Sequence, residues 1–465
     1  MTWPDLSWGT LLEVVEWTIR LVAVVVVPFR RKFTAAAWLL LIFFLPIPGL
    51  ILFWMIGQPR FPQARIDRFK ELRPCFDRIA KALRKTQPKR AGAVSAFAER
   101  LGHFPATGGN RVDLIDEYDE VVRRLTEDID RAQKCVFLLV YIFADDEVGG
   151  KVIDALGRAV ARGVDCRVLV DPVGSLHWVR GTIKRLCAAG VRTRQTLPLR
   201  LLRQTRRDMR NHRKIFVIDG RIGYAGSQNI VTKNFRPGVT NRELVARCVG
   251  PVVAAMDAVF LGDWFLETGD HPPGDIEPPP PDGEAILQLL PSGPEYPMEG
   301  FETLLVWQMH QSSQRAIIVT PYFIPDQDVI AALRTAAARG VQVDLVLSQV
   351  VDHPIVNLAQ RSYYADLLRA GVRIHLFDKY LLHAKNVSID GKLGIIGSSN
   401  VDLRSFQLNE EVTLLLHDPA SVAALETVQG RYIRDSKPVE LDEWSKRGRP
   451  VMVAENLARL VSPLL

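Results

Sequence analysis

Paired cysteines are missing from this chain. Its 465 residues hold five cysteines, an odd number without C-x-x-C spacing, which excludes a disulfide scaffold and a cysteine-based zinc site. Cys135 and Cys166 stand inside apolar runs and read as core residues. No G-x-x-x-x-G-K-[ST] loop is present, so nothing points to nucleotide energy. A disordered composition is absent too. Charged residues make up 24% and hydrophobic residues 48%, the balance of a globular chain with room for two or three domains. The net charge of +7 favours anionic partners, nucleic acid or acidic lipid, without choosing between them.

What is present first is a hydrophobic N-terminus. Phe33 to Gly57 carries no charge and is long enough to cross a bilayer, and it begins too far in for a cleaved signal peptide. Leu45-Pro46-Ile47-Pro48-Gly49 interrupts it. A kinked spanning helix is the favoured arrangement, because broken backbone inside a bilayer needs protein or water around it. The alternative is a re-entrant hairpin that leaves both basic flanks (Arg30, Arg31, Lys32 and Arg60, Arg65, Arg68, Lys70) on one side. In Leu11 to Pro28, residues Glu13, Glu16 and Arg20 form one polar stripe, as in a second span or a helix lying in the interface. Residues 1–57 are therefore expected to be a helical membrane anchor, and 58–105 a basic juxtamembrane linker.

The remainder is a tandem repeat. Ala155 to Val164 is echoed by Ala332 to Val341, Val140-Tyr141-Ile142-Phe143 by Pro321-Tyr322-Phe323-Ile324, and Ala189-Gly190-Val191-Arg192 by Ala370-Gly371-Val372-Arg373. In each half an apolar strand (Cys135–Val140, Ala316–Val319) precedes a helical stretch stopped by glycine (Val152–Arg162 with Gly163, Val329–Arg339 with Gly340). A second strand follows (Val164–Val170, Val341–Leu347). Strand, helix, strand implies parallel pairing and an α/β fold of two halves. The first half is 106–270, the Pro-rich linker 271–283, and the second half 284–465.

Each half carries H-x-K-x-x-x-x-D: His212, Lys214 and Asp219 in the first, His383, Lys385 and Asp390 in the second. The tails Gly226-Ser227-Gln228-Asn229 and Gly397-Ser398-Ser399-Asn400 follow at the same distance. All six motif residues are grouped as the catalytic set; on a strand, histidine and lysine two apart share a face, while the aspartate points the other way and reads as structural rather than touching substrate. Asp219-Gly220 and Asp390-Gly391 make turns. The other histidines (His103, His177, His271, His310, His353, His375 and His417) have no such companions and read as core residues. Across an internal two-fold axis, one motif histidine would attack phosphorus and the other move protons. Lys214 and Lys385, with Ser227, Asn229, Ser398 and Asn400, would bind the phosphate oxygens. Glu243 and Glu411 align across the repeat and are candidates to orient the histidines.

The doubled H-x-K-x4-D motif with G-S-x-N resembles the phospholipase D superfamily, and more narrowly its bacterial cardiolipin synthases. Asn211-His212-Arg213-Lys214, Leu290-Pro291-Ser292-Gly293-Pro294, Thr320 to Pro325, Arg404-Ser405-Phe406-x-Leu408-Asn409 and Ser462 to Leu465 carry the likeness over nearly the whole chain. The resemblance implies an α/β sandwich in each half, related by a pseudo-two-fold axis. It implies transfer of a phosphatidyl group from one phosphatidylglycerol to another with release of glycerol, without cofactor or metal. His212 would be the nucleophile and His383 the acid and base, in a bacterial inner-membrane enzyme that is a possible homo-oligomer. The D-G-x2-A-R pattern of CDP-alcohol phosphatidyltransferases is absent. Gln228 and Ser399 occupy the variable tail positions, and Asp171 has Ser348 as its counterpart in the repeat, so the two halves are expected to be lined unequally. Three readings stay open: a hydrolase using the same residues, a nuclease holding nucleic acid on Arg192, Arg194, Arg200, Arg203, Arg206, Arg207 and Arg210, and a non-catalytic membrane scaffold. The hydrophobic N-terminus makes lipid the better partner than nucleic acid.

Overall fold

The computed structural model describes residues 8–30, 35–57, 61, 63–88, 92–198, 208–272, 276–296 and 298–460. Arg31, Lys32, Arg60, Arg200, Arg203, Arg206, Arg207, the middle of the Pro-rich linker and the C-terminal Ser462 to Leu465 lie outside them. The chain forms two compact units, residues 1–62 with 199–209, and 63–198 with 210–465.

Among the described residues the first unit is three helices: α1 (Trp8–Arg30), α2 (Ala35–Phe44) and α3 (Pro46–Ile56). Pro46 disfavours helical backbone at the residue before it, and Leu45 breaks with φ −130° and ψ 74°. The chain then folds back. The Trp38 and Phe53 rings sit 5.3 Å apart, and a Cβ on Gly49 would lie 2.9 Å from the Ile42 backbone, so only glycine allows the approach. The favoured single kinked helix is thus corrected to a hairpin. Its arms of 10 and 11 residues are each about 15 Å long. Among the described residues no helix is long and apolar enough to cross a membrane. In α1 the polar stripe pairs internally, Arg20 with Glu16 at 3.1 Å, and Arg20 also donates to the Phe43 carbonyl at 3.0 Å.

The second unit is built on one 15-stranded sheet. The first half supplies β1 (Thr107–Ile115), β2 (Cys135–Val140), β3 (Asp165–Val170), β4 (Arg192–Gln195), β5 (Ile215–Ile218), β6 (Ile222–Gly226) and β7 (Val245–Val249). The second supplies β8 (Ala285–Ser292), β9 (Arg315–Thr320), β10 (Gln342–Ser348), β11 (Arg373–Phe377), β12 (Asn386–Ile389), β13 (Leu393–Gly397) and β14 (Glu411–Leu416), with β15 (Ser436–Pro438) added at the edge. From the central β1–β8 pair the order runs β7-β6-β5-β2-β3-β4 one way and β14-β13-β12-β9-β10-β11 the other. These are the same elements in the same succession, the signature of an internal two-fold axis. β2–β3 and β9–β10 pair in parallel, as the strand-helix-strand rhythm predicts. β5 and β12 run antiparallel to β2 and β9.

Helix α4 (Gln63–Leu83) lies within the expected 58–105 linker. It buries Phe69, Leu72, Phe76, Ile79 and Leu83 in the core shared by both halves, where Phe76 reaches Gly262 of the helix Val253–Thr268. Each half then has its own outer core, and the crossover helices α5 (Glu147–Ala161) and α6 (Gln327–Ala338) pack there. Both end one residue short of the reading, ahead of Gly163 and Gly340, each at φ +87°.

Candidate active site

The motif residues gather where β5 and β12 begin, beside the carboxyl ends of β2 and β9. His212 and Lys214 lie on extended chain just before β5, His383 and Lys385 just before β12. The backbone of each approach is tied to the opposite half. The His212 N–H donates to the Glu410 carbonyl at 2.8 Å, and the His383 N–H to the Arg242 carbonyl at 2.8 Å.

Those ties place the orienting carboxylates crosswise. His212 Nδ1 lies 3.0 and 3.1 Å from the Glu411 oxygens, and His383 Nδ1 lies 2.8 and 3.0 Å from those of Glu243. Each histidine is thus aimed by a glutamate from the other half. Burial alone would push the Glu411 carboxyl up, but His212, Lys214 and Ser398 hold it down at about 2. Glu243, against the same burial, is held below its ordinary range by His383 and Lys385. Ionised carboxylates only accept, so each Nδ1 donates and each Nε2 keeps its lone pair for chemistry. Burial also lowers both imidazoles, against the pull of the glutamates, and His383 reaches about 4.

Burial likewise lowers Lys214 to about 7 and Lys385 to about 8, with the neighbouring glutamates opposing. Each lysine donates to the carbonyl of its own histidine, Lys214 at 2.7 Å and Lys385 at 2.5 Å. The serines are placed differently from the reading. Ser398 donates to Glu411 at 2.5 Å and accepts from the Val412 N–H at 3.0 Å, while Ser227 accepts from the Leu244 N–H at 3.0 Å. Both are fully buried and serve the orienting strands rather than an open phosphate pocket. The Asn229 side-chain oxygen accepts from the Ile142 N–H at 3.0 Å, and the buried Asn400 oxygen has no hydrogen-bond partner among the described residues.

Asp219 and Asp390 touch no histidine. Asp219 accepts from the N–H groups of Gln133, Lys134 and Cys135 at 2.9, 2.7 and 3.0 Å. Asp390 does the same for Ser313, Gln314 and Arg315 at 2.8, 2.8 and 2.9 Å. These bonds offset left-handed backbone at φ +54° and +52°, and so lock the strand that carries each motif. Their placement with the catalytic set is corrected to this structural one.

Sequence reasoning missed several partners. Tyr141 presents an edge contact to His212 at 4.8 Å and Tyr322 one to His383 at 6.3 Å; their echo in the repeat was the available signal. Asp171 and Ser348, expected to line the halves unequally, instead brace the approach to each histidine. Asp171 accepts from the Asn211 N–H at 3.3 Å and Ser348 from the Leu382 N–H at 3.1 Å. Arg210 is buried against Asp171 at 2.8 Å, which removes it from any nucleic-acid surface.

Behind Glu411 lies a buried ion network without a counterpart in the first half among the described residues. Arg65 binds Glu410 at 2.6 Å, Glu267 at 2.6 Å and Glu295 at 3.0 Å, and Asn211 donates to Glu410 at 2.6 Å. The equivalent of Glu410 is Arg242, which pairs with Asp116 and Glu117 at 3.2 and 2.9 Å. Arg65→Met leaves three carboxylates without their cation and is expected to cost about 3–5 kcal/mol of stability, read by chemical denaturation.

The sequence profile described as "Cardiolipin synthase, PLD-like domain" matches residues 125–264 and 305–431. Cardiolipin synthase A of Serratia proteamaculans is 34% identical over 455 residues, 93% of each chain. That of Pectobacterium carotovorum is 33% identical over 458 residues, again 93% of each. Among solved structures, a phosphatidylserine synthase of Haemophilus influenzae shares the fold with TM-score 0.62 at 15% identity, over 80% of this chain and all of that one. With the doubled motif in this geometry and likeness along nearly its full length, the chain belongs to the cardiolipin synthases built on the phospholipase D-like domain, a family of phosphatidyltransferases.

Proposed function

We propose that the chain joins two phosphatidylglycerols through a covalent phosphohistidine. His212 Nε2 attacks phosphorus of the first lipid, and the glycerol oxygen leaves with a proton from His383. The primary hydroxyl of a second phosphatidylglycerol then gives its proton to His383 and attacks phosphorus, the His212–phosphorus bond breaks, and cardiolipin is released. The observation that carries this reading is the crossed pair of Nδ1–carboxylate contacts, which leaves two Nε2 atoms free. The lysines would neutralise the phosphodiester oxygens. An incoming phosphate anion also raises the proton affinity of the buried histidines, so the donor lipid itself favours a protonated acid.

The domain bounds belong to the same proposal: 1–57 as membrane-embedded anchor, 106–270 and 284–465 as the two halves. The hairpin of α2 and α3 supports a re-entrant anchor in the bacterial inner membrane. Incubating detergent-purified protein with phosphatidylglycerol alone tests the reaction. Cardiolipin and glycerol in equal amounts are expected, unaffected by a chelator. Phosphatidic acid in place of cardiolipin would mean hydrolysis, and a requirement for restored divalent metal would contradict the phosphohistidine route.

Affinity for a phosphodiester analogue should depend on pH. The free lysines lose their protons near 7 and 8, whereas the bound anion needs them charged. Binding is therefore strongest below pH 7 and weakens by up to about tenfold per pH unit for each lysine above its value. Titration calorimetry from pH 6 to 9 reads this, and a flat profile would remove the lysines from phosphate binding.

A further inference from the structure

Among the described residues, the second unit exposes few large apolar side chains, and all but Met298 cluster at one end of the sheet. Leu176 follows β3, and Val351 and Ile355 follow β10, the corresponding strand of the repeat. Both loops leave the carboxyl ends of strands parallel to β2 and β9, the same end at which His212 and His383 stand. Tyr380 lies just ahead of His383. The rim is continuous across the halves. Trp178 contacts Phe235 at 6.0 Å, the adjacent Arg236 forms an ion pair with Asp352, and Asp352 accepts from Tyr322 at 2.7 Å.

Two further helices extend this surface. Helix α7 (Pro354–Arg361) starts in the rim, and α8 (Arg449–Leu460) packs beside it, with Ala458 against Ala359 and Ile324. The opposite face of α8 carries Val453, Leu457 and Leu460 at i, i+4 and i+7, exposed by 56, 58 and 74%. A stripe of this kind facing water is unfavourable unless something covers it.

We infer that this rim and the outer face of α8 insert into an anionic phospholipid surface, so that the mouth between the histidines opens directly onto the bilayer. The inference rests on the reading of the substrate as a membrane lipid. A diacyl donor withdrawn fully into water would expose its chains at about 0.8 kcal/mol per CH2, and a rim buried in the lipid avoids that exposure. A protein seated on the same rim would instead block the entrance. The net charge of +7 complements a phosphatidylglycerol surface.

The test uses the full chain in phosphatidylglycerol vesicles, with exposed Cys187 changed to serine. Single labels are placed at Ile355→Cys and Leu457→Cys, and at Lys392→Cys on the β12–β13 turn at the other end of the sheet. A doxyl lipid is expected to quench the emission of the first two and leave the third unchanged, with aqueous iodide doing the reverse. Iodide quenching at 355 and 457 equal to that at 392 would overturn the inference. So would shielding of both from iodide without quenching by lipid, the signature of a second copy or another protein. Cardiolipin formation is followed in the same vesicles. Synthesis with the labels in water refutes the rim and keeps the reaction; labels in lipid without synthesis do the opposite.

Discussion

His212→Ala and His383→Ala are each expected to reduce cardiolipin formation by at least about 10³–10⁴-fold, the scale on which removing one member of a nucleophile–base unit acts. Each imidazole keeps its Nε2 available for the reaction, because its Nδ1 is committed to a glutamate. Substantial activity in either variant would break the composite site. The two losses should differ in kind. From a phosphatidyl ester of p-nitrophenol the nitrophenolate departs without a proton, so His383→Ala should still release one burst of nitrophenol and trap the phosphatidyl group on His212. His212→Ala has no nucleophile and should give no burst. The reverse pattern would exchange the roles of the two histidines.

The site was legible because it is written twice. A lone histidine beside a lysine carries little information, but the spacing His212–Lys214–Asp219–Ser227–Asn229 recurs from His383 to Asn400, and the sheet order repeats in the same way. The period of two correctly turned Asp219 and Asp390 away from the histidines. It could not show that their carboxylates collect backbone N–H groups at left-handed turns, since that depends on where the chain before β2 and β9 passes. The serines misled for a related reason. Ser227 and Ser398 recur with the lysines in the motif, yet each hydroxyl accepts from the N–H of the residue after a glutamate, a contact set by the pairing of β6 with β7 and of β13 with β14. Arg65 was hidden in a basic run that read as a linker. Its partners Glu267, Glu295 and Glu410 are distant in sequence, and Glu410 stands where the first half has Arg242. In the first unit the prolines correctly marked the break, but whether the arms fold together depended on Gly49 against Ile42, a contact no periodicity reports.

Glu411→Gln and Glu243→Gln are expected to lower turnover by about 10²–10⁴-fold while leaving lipid binding nearly unchanged, because each carboxylate acts through a histidine rather than on the substrate. A glutamine preserves the size of the side chain but removes the charge that stabilises imidazolium and fixes Nδ1 as the donor. The crossing of the two halves makes the test sharp. Glu411 belongs to the second half but holds His212, so Glu411→Gln should suppress the nitrophenol burst as His212→Ala does. Glu243 belongs to the first half but holds His383, so Glu243→Gln should leave the burst and slow the steps that need a proton. If each glutamate served the histidine of its own half, these phenotypes would be exchanged. The burst amplitude of the two variants therefore reads out which half aims which base, and with it whether the two repeats work as one interlocked site.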